Sequence, residues 1–234
     1  MAEEEEVVLL DEWLSMFGMR ARIALAEKGI KYEYKEEDLS NKSPLLLQMN
    51  PIHKKIPVLI HKGKPICESL IIIEYIDQVW NHTAPLLPSD PYLKAQARFW
   101  ADFVNKKVGD VGGRIWAGKR EEIEEAKKEM IEGLKQLEET LGYNTFFGGE
   151  TFGFIDVALI PFYNWFYTYE QLCHFKVETH CPKLIAWAQR CIHRESVSKS
   201  LAGEKEIYNF VVDFRKKSQL DWRNICELKN LCQE

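Results

Sequence analysis

The amino-acid sequence predicts an α/β domain followed by an all-helical domain. Three observations lead to this fold class. Strand and helix patterns alternate as far as about residue 81, three prolines fall within residues 83–91, and the periodic segments beyond them have helical spacing. Prolines at this density are typical of a linker. We therefore divide the 234 residues into a first domain at 1–84, a linker at 85–92 and a second domain at 93–234.

The first domain should contain four strands and three helices in the order β-α-β-α-β-β-α. Short β-branched runs or alternating patterns predict the strands, and a turn at Lys62-Gly63 joins the last two into a hairpin. The expected elements are 7–10, 15–28, 31–36, a short helix or irregular segment at 42–49, then 58–61, 65–67 and 68–80. The result would be a small mixed sheet with helices on both faces.

The second domain is predicted to consist of helices alone. A long amphipathic helix is expected at 120–141, and residues 155–169, which are apolar nearly all round, should form the buried central helix. Further helices are predicted at 92–108, from Pro182 onward and at 204–217. The polar tail after Gln219 is expected to lie on the surface.

Composition and charge limit the class of partner. The net charge is −5 and the pI is near 5.8, and no basic stripe occurs, so nucleic acid is not an expected partner. The sequence has neither a secretory signal pattern nor a run of ~18 apolar residues, which predicts a cytosolic protein outside the membrane. Its six cysteines should then be reduced thiols. Neither a metal site nor a nucleotide-binding loop is expected, and small molecules or other proteins are the expected partners.

Ser15 stands where the first strand gives way to the first helix, and two interpretations are open. A serine at such a position is most commonly an N-cap, whose hydroxyl accepts a backbone N–H. The same position offers unpaired N–H groups and a partial positive charge, which favour an anion and lower the pKa of a thiol held there. The serine hydroxyl could then donate one more hydrogen bond to the thiolate.

Pro57, after Ile56, also has two interpretations. It is either the first residue of an edge strand or a cis-proline. A cis bond would hold the backbone N–H and C=O of Ile56 open to an extended, peptide-like ligand, as in strand addition.

Glu68 and Ser69 open the third helix of the first domain. Either they cap the helix and complement its dipole, or Ser69 and the helix N-terminus bind a carboxylate while Glu68 binds an ammonium group. A γ-glutamyl group carries both of these charges on one carbon. Lys42 and Lys55 are either solvated surface lysines or the partners of a second carboxylate on the same ligand.

Together these segments resemble the glutathione transferase family, and within it the plant tau class. The resemblance spans Val7 to about Phe214 and rests on four motifs in the family's order. They are Ser15-x-Phe17-x-x-Arg20, Asn41-Lys42-Ser43-Pro44, Asn50-Pro51-x-x-Lys54-Lys55-Ile56-Pro57-Val58-Leu59 and Glu68-Ser69-Leu70-Ile71-Ile72-x-Glu74-Tyr75-Ile76-Asp77. The resemblance implies a thioredoxin-like, glutathione-binding domain followed by a helical domain that lines a hydrophobic electrophile site.

The resemblance also implies a role for each matching residue. Ser15 would be the catalytic residue that hydrogen-bonds the glutathione sulfur. Lys42 and Lys55 would hold the glycyl end, and the backbone of Ile56 would hold the cysteinyl unit. The full glutathione-binding set would be Ser15, Phe17, Lys42, Lys55, Ile56, Pro57, Glu68 and Ser69, with the last two on the γ-glutamyl group.

The electrophile pocket is expected between the domains. Phe17, Trp116 and Trp165 are its candidate walls, and ordinary core packing is the competing interpretation. The family also has a Ser or Thr cap followed three residues later by Asp, early in the central helix of its second domain. Here Gly153 precedes Asp156, and we expect Asp156 to be structural, bonding N–H groups of the first helical turn.

The implied function is conjugation of reduced glutathione to hydrophobic electrophiles, a detoxification reaction, with glutathione peroxidase side activity. Glutathione would be a co-substrate, and no cofactor is expected. The first alternative is a non-catalytic carrier of hydrophobic small molecules. The second is thiol transfer or dehydroascorbate reduction, for which relatives use a cysteine where this chain has Ser15. The family is usually homodimeric, which makes Asp77 and Arg98 candidate interface residues.

Overall fold

The computed structural model describes residues 6–83, 85–218 and 220. The prediction of a surface-lying tail after Gln219 therefore falls outside the described residues, apart from Leu220. No helix in the described ranges is long and apolar enough to cross a membrane.

The first domain has the predicted order of elements. The parts are β1 (Val7–Asp11), α1 (Met16–Glu27), β2 (Glu33–Glu36), α2 (Pro44–Met49), β3 (Val58–His61), β4 (Lys64–Cys67) and α3 (Ser69–Val79). Segment 42–49, for which the sequence left a choice, is a helix from Pro44, where Ser43 caps it by accepting the N–H of Leu46 at 3.0 Å. Strand β2 is two residues shorter than predicted at its start.

The four strands form one mixed sheet in the order β2-β1-β3-β4. Strand β1 runs parallel to β2 and antiparallel to β3, and β3 and β4 form the predicted hairpin. Alternate residues of β1 face opposite sides, as strand geometry requires. Leu9 packs with α1 and α3 on one face, and Leu10 packs with Leu46 of α2 on the other, which confirms helices on both faces.

The second domain is helical throughout its described residues. Its parts are α4 (Pro91–Val104), a π-helical turn at Asn105–Gly109, α5 (Asp110–Ala117), α6 (Arg120–Leu141), α7 (Phe154–Leu159), a 3₁₀ turn at Ile160–Phe162, α8 (Tyr163–Cys173), α9 (Val177–His180), α10 (Pro182–Ile192), α11 (Glu195–Ser198) and α12 (Glu204–Lys217). The predictions for α6, α10 and α12 are confirmed.

One helix prediction in this domain was wrong in detail. The single central helix expected at 155–169 is divided into α7 and α8 by the turn that contains Pro161. Proline has no N–H for the helical hydrogen bond and its ring collides with the preceding turn. Residues 92–108 are helical as predicted, in the α form to Val104 and in the π form from Asn105, and the π-helical turn leads into α5, which the sequence did not predict.

A buried carboxylate fixes the connection between the domains. Asp77 of α3 accepts the N–H groups of Leu86 and Leu87 at 2.8 and 3.0 Å, and Lys28 lies 2.7 Å from the same carboxylate. Leu86 in turn accepts the N–H of Phe154, at the start of α7. The linker is therefore bonded to both domains, and Asp77 is largely buried beneath it rather than at a surface available to a second copy.

Candidate active site

Ser15 is the N-cap of α1, and its hydroxyl oxygen, rather than its proton, makes the cap hydrogen bond. Its Oγ accepts the N–H of Gly18 at 3.3 Å. The loop before it is held to the second domain, because Trp165 donates its indole N–H to the carbonyl of Leu14 at 3.2 Å. Since the oxygen is the acceptor in the cap, the hydroxyl proton can still be donated to a ligand. The two interpretations of Ser15 are therefore compatible.

A cavity of about 210 Å³ opens between the two domains close to this serine. Its lining residues are Phe17, Asn50, Lys55, Ile56, Pro57, Glu68, Ser69, Asn105 and Asp110. Six of these nine are predicted glutathione-binding residues, while Asn50, Asn105 and Asp110 were not predicted. Ser15 and Lys42 are not among the lining residues; Ser15 lies two residues before Phe17, and Lys42 is exposed in the segment before α2.

The Ile56-Pro57 peptide bond is cis, as the second interpretation of Pro57 requires. The loop before it is positioned by Asn50, whose side-chain amide donates to the carbonyl of Lys55 at 2.9 Å and accepts the N–H of His53 at 3.2 Å. An amide that both donates and accepts can fix a loop with one side chain. Asn50 is thus a positioning residue for the cavity wall.

Glu68 and Ser69 do not act as ordinary caps. Glu68 is the N-cap of α3 but makes no side-chain cap bond, and its backbone has φ 70° and ψ 117°. A positive φ is costly for a residue with a side chain and is concentrated at functional sites. The first turn of α3 therefore lacks a side-chain cap at the edge of the cavity, which is the arrangement that favours a bound anion.

Arg20 is the principal site residue that sequence reasoning missed. It is fully buried, and its guanidinium donates to Ser69 Oγ at 3.0 Å, to Asn105 Oδ1 at 2.6 Å and to the carbonyl of Ala158 at 2.9 Å. Burial lowers its pKa to about 9. These bonds join the Ser69 side of the cavity to the second domain. The available signal was an arginine within a helix whose neighbouring positions are apolar.

The predicted aromatic residues fall into two groups. Trp116 lies against Trp165, with ring centroids 5.7 Å apart, and Phe214 lies 5.1 Å from Trp116. Phe17 instead lines the cavity and meets the edge of Phe162. Trp165 is only 2% exposed, so it supports Trp116 and has little surface of its own for contact with a ligand. Phe210 and Phe214, four residues apart on α12, were missed, although their helical spacing was visible in the sequence.

Asp156 has the structural role predicted for it. It is buried and accepts the N–H groups of Phe147 at 3.1 Å and Gly153 at 2.9 Å, and the indole N–H of Trp187 at 2.7 Å. Burial raises its pKa to about 6, and these hydrogen bonds act in the opposite direction. Glycine also suits position 153 better than a larger residue, because a Cβ there would lie 3.0 Å from the carbonyl oxygen of Leu86 in the linker.

Comparison with known proteins agrees with this geometry. The glutathione S-transferase N-terminal domain family matches residues 5–78, and the glutathione S-transferase C-terminal domain family matches residues 87–195. A four-stranded, thioredoxin-like domain followed by a helical domain is the fold that these matches support. The chain belongs to the glutathione S-transferase family and is a transferase, which confirms the predicted fold class.

Individual relatives define the class within the family. A probable glutathione S-transferase, parC of Nicotiana tabacum, is 65% identical over 218 residues, which are 93% of this chain and 99% of the relative. The structure of rice GST1 (OsGSTU1), in complex with glutathione, matches with a TM-score of 0.88 and 51% identity over 92% of this chain and 99% of the other. The tau-class enzyme of mango, Mangifera indica, matches with a TM-score of 0.82 and 40% identity over 88% and 96%. The chain is a plant-type tau-class glutathione transferase.

Proposed function

We propose that this chain transfers the thiolate of glutathione to hydrophobic electrophiles, with Ser15 as the hydrogen-bond donor to the sulfur. The observation that carries the proposal is the state of Ser15. Its oxygen already accepts Gly18 N–H, so its proton is the part of the hydroxyl left for a ligand, at a helix N-terminus. Both features stabilise an anion relative to its conjugate acid.

The cavity supports a specific orientation for the tripeptide. The γ-glutamyl carboxylate is proposed to lie at Ser69 and the start of α3, with its ammonium group on the carboxylate of Glu68. The cysteinyl unit would pair with the backbone of Ile56, and the glycyl carboxylate would meet Lys55. Lys42 is assigned to the same glycyl end on the family resemblance.

The reaction itself needs few protein groups. The thiol loses its proton to solvent and the thiolate attacks the electrophilic carbon to form the C–S bond. In a substitution the leaving group then departs with its bonding electron pair, and in an addition the resulting carbanion takes a proton from solvent. Holding both reactants together and lowering the thiol pKa supply the rate gain. We propose that no cofactor takes part and that glutathione is a co-substrate.

The electrophile is proposed to bind beside the aromatic group of Trp116, Trp165, Phe210 and Phe214. All four side chains are aromatic and uncharged, so the surface that they form favours apolar substrates. The same thiolate could reduce organic hydroperoxides, which is the proposed peroxidase side activity. Detoxification in the cytosol is the proposed cellular role.

We also propose that two copies form a homodimer through α3 and α4. Five large apolar side chains are exposed on these helices: Ile71, Val79, Tyr92, Leu93 and Phe99. Concentration of exposed apolar groups in one region is typical of an interaction surface, and these are five of the eleven large apolar side chains exposed among the described residues. Arg98 and Glu74 form an ion pair on the same helices. Sedimentation equilibrium should give twice the chain mass of 27.4 kDa, and a monomer at micromolar concentration would contradict the proposal.

The role of Ser15 is tested by Ser15→Ala, with Ser43→Ala as the matched control. Both changes remove a serine N-cap, and each should cost about 1 kcal/mol of stability. We expect kcat for conjugation to fall roughly 100-fold in Ser15→Ala, as for loss of one donor to a developing anion, while glutathione binding largely survives. Ser43→Ala should keep its kcat. Near-unchanged turnover in Ser15→Ala would refute the role.

A further inference from the structure

Asp11 lies directly behind the start of α1. It is the last residue of β1, and it is fully buried. A Cβ atom at Gly18 would lie only 1.7 Å from its Oδ1, so the carboxylate is packed against the backbone of the first turn of α1. Any residue larger than glycine at position 18 would displace it.

The same contact sets the distance to the catalytic serine. Gly18 donates its N–H to Ser15 Oγ at 3.3 Å. Adding the covalent dimensions of Gly18 to this hydrogen bond and to the packing contact puts the Asp11 carboxylate within about 8 Å of Ser15 Oγ. A thiolate that accepts a hydrogen bond from Ser15 would lie about 3 Å beyond this oxygen, so its charge and that of Asp11 would be within about 11 Å of each other. Over such a distance, through buried protein, two charges interact appreciably.

The charge of Asp11 is only partly balanced. Its one ion-pair partner among the described residues is Arg22, whose Nη1 lies 3.4 Å away and is equally buried. Neither carboxylate oxygen accepts a hydrogen bond of ordinary geometry within the same residues, although the backbone N–H of Glu12 also faces it. Arg22 directs its other terminal nitrogen to the carbonyl of Trp13.

Further ionisable groups surround this carboxyl. Glu12 follows it in the chain, and Tyr32, Tyr34 and Glu36 face it from β2 and the segment before β2. Burial raises the pKa of Asp11 to about 7, the Arg22 charge lowers it, and the two glutamates raise it further. Asp11 therefore changes its charge in the pH range in which a bound thiol would change its own.

We propose that Asp11 acts on the bound glutathione thiol through the charge of its carboxylate, the two groups forming a coupled acid pair in which each anion disfavours the other. The inference rests on the proposed function of Ser15 and extends it. When the S–H bond breaks, the proton passes to solvent and Asp11 takes up part of a proton from solvent. Net proton release then falls short of the amount of thiolate formed.

The first test is Asp11→Asn, which removes the charge and keeps the shape. Titration of the ultraviolet absorbance of the bound thiolate should give a thiol pKa about one pH unit below the wild-type value. The control is Asp77→Asn, a largely buried carboxylate paired with Lys28 at the other end of α1, which should leave the thiol pKa unchanged. An equal thiol pKa in wild type and Asp11→Asn, with glutathione bound, would overturn the inference.

A second measurement uses the wild-type protein, in case Asp11→Asn does not fold. Carboxyl carbons of aspartate are labelled with carbon-13, and the Asp11 signal is identified by its proximity to the Gly18 Cα protons. Because linkage is reciprocal, the pKa of Asp11 should be higher with glutathione than with S-methylglutathione, which has no thiol to ionise. Equal values would overturn the inference. A wild-type protein that binds glutathione without forming thiolate would instead refute the proposed function.

Discussion

The two helix starts beside the proposed glutathione cavity are built differently. Helix α1 begins with Ser15, which caps Gly18 N–H and has an ordinary extended backbone. Helix α3 begins with Glu68, which has positive φ and no side-chain cap, and is followed by Ser69 bonded to the buried Arg20. The first start satisfies its own N–H and keeps one proton to donate, which suits a thiolate. The second leaves its first turn open beside a buried cation, which suits a carboxylate.

The largest effect is expected from replacing Arg20, whose guanidinium bonds Ser69 at the start of α3. Arg20→Met should lower the free energy of unfolding by about 3 kcal/mol, because Ser69, Asn105 and Ala158 lose their buried donor. It should also raise KM for glutathione more than it lowers kcat. Chemical denaturation and steady-state kinetics measure both. Lys199→Met, which breaks an exposed ion pair with Glu195 away from the proposed dimer surface, is the control and should cost less than about 1 kcal/mol. A similar loss in both variants would show that Arg20 has no special role.

The next effect is expected at Asp11, the buried carboxylate behind the start of α1, and concerns the pH dependence of the unfolding free energy. The pKa of Asp11 is raised on folding, so the native state binds more protons than the unfolded state between pH ~4 and 7. Stability contributed by this group is therefore present at low pH and is lost as pH rises through about 7. Between pH 5 and pH 7 we expect the unfolding free energy of the wild type to fall by about 2 kcal/mol more than that of Asp11→Asn. Parallel curves from urea denaturation would contradict this.

The smallest effect is expected at Glu68, because the backbone at the start of α3 has a positive φ and the backbone at the start of α1 does not. Glu68→Gly relieves a positive φ and should stabilise the protein by about 1 kcal/mol, yet it removes the proposed ammonium partner and should raise KM for glutathione. Lys62→Gly relieves a similar φ of 52° in the β3–β4 turn, away from the cavity. It should stabilise the protein equally and leave KM unchanged. If both variants changed KM alike, the Glu68 carboxylate would have no special role in binding glutathione.

Most of the fold could be predicted because its signals are local. The hairpin follows from Lys62-Gly63 between two short apolar strands, and α6 follows from a regular amphipathic stripe. The break between α7 and α8 was also visible, since Pro161 lies inside an otherwise helical pattern. The π-helical turn after α4 had no comparable signal, because its residues are ordinary helix formers.

The site was predicted less completely, for a related reason. Ser15, Ile56-Pro57 and Glu68-Ser69 lie at ends of elements, where sequence patterns are informative. The contacts of Arg20 with Asn105 and Ala158 span 85 and 138 residues, and only the packing of the two domains brings them together. The roles of Lys42 and of the aromatic wall stay predictions, since Lys42 is exposed and outside the cavity lining.

Ser15 is proposed to stabilise the thiolate of bound glutathione. Its most direct test is the thiol pKa, measured from thiolate absorbance in wild type and in Ser15→Ala, each saturated with glutathione. We predict a pKa below the ~8.5 of a free thiol in the wild type and a value at least one unit higher in Ser15→Ala. The same lowered pKa in both proteins would contradict the account, since α1 and its surroundings would then stabilise the thiolate without the serine.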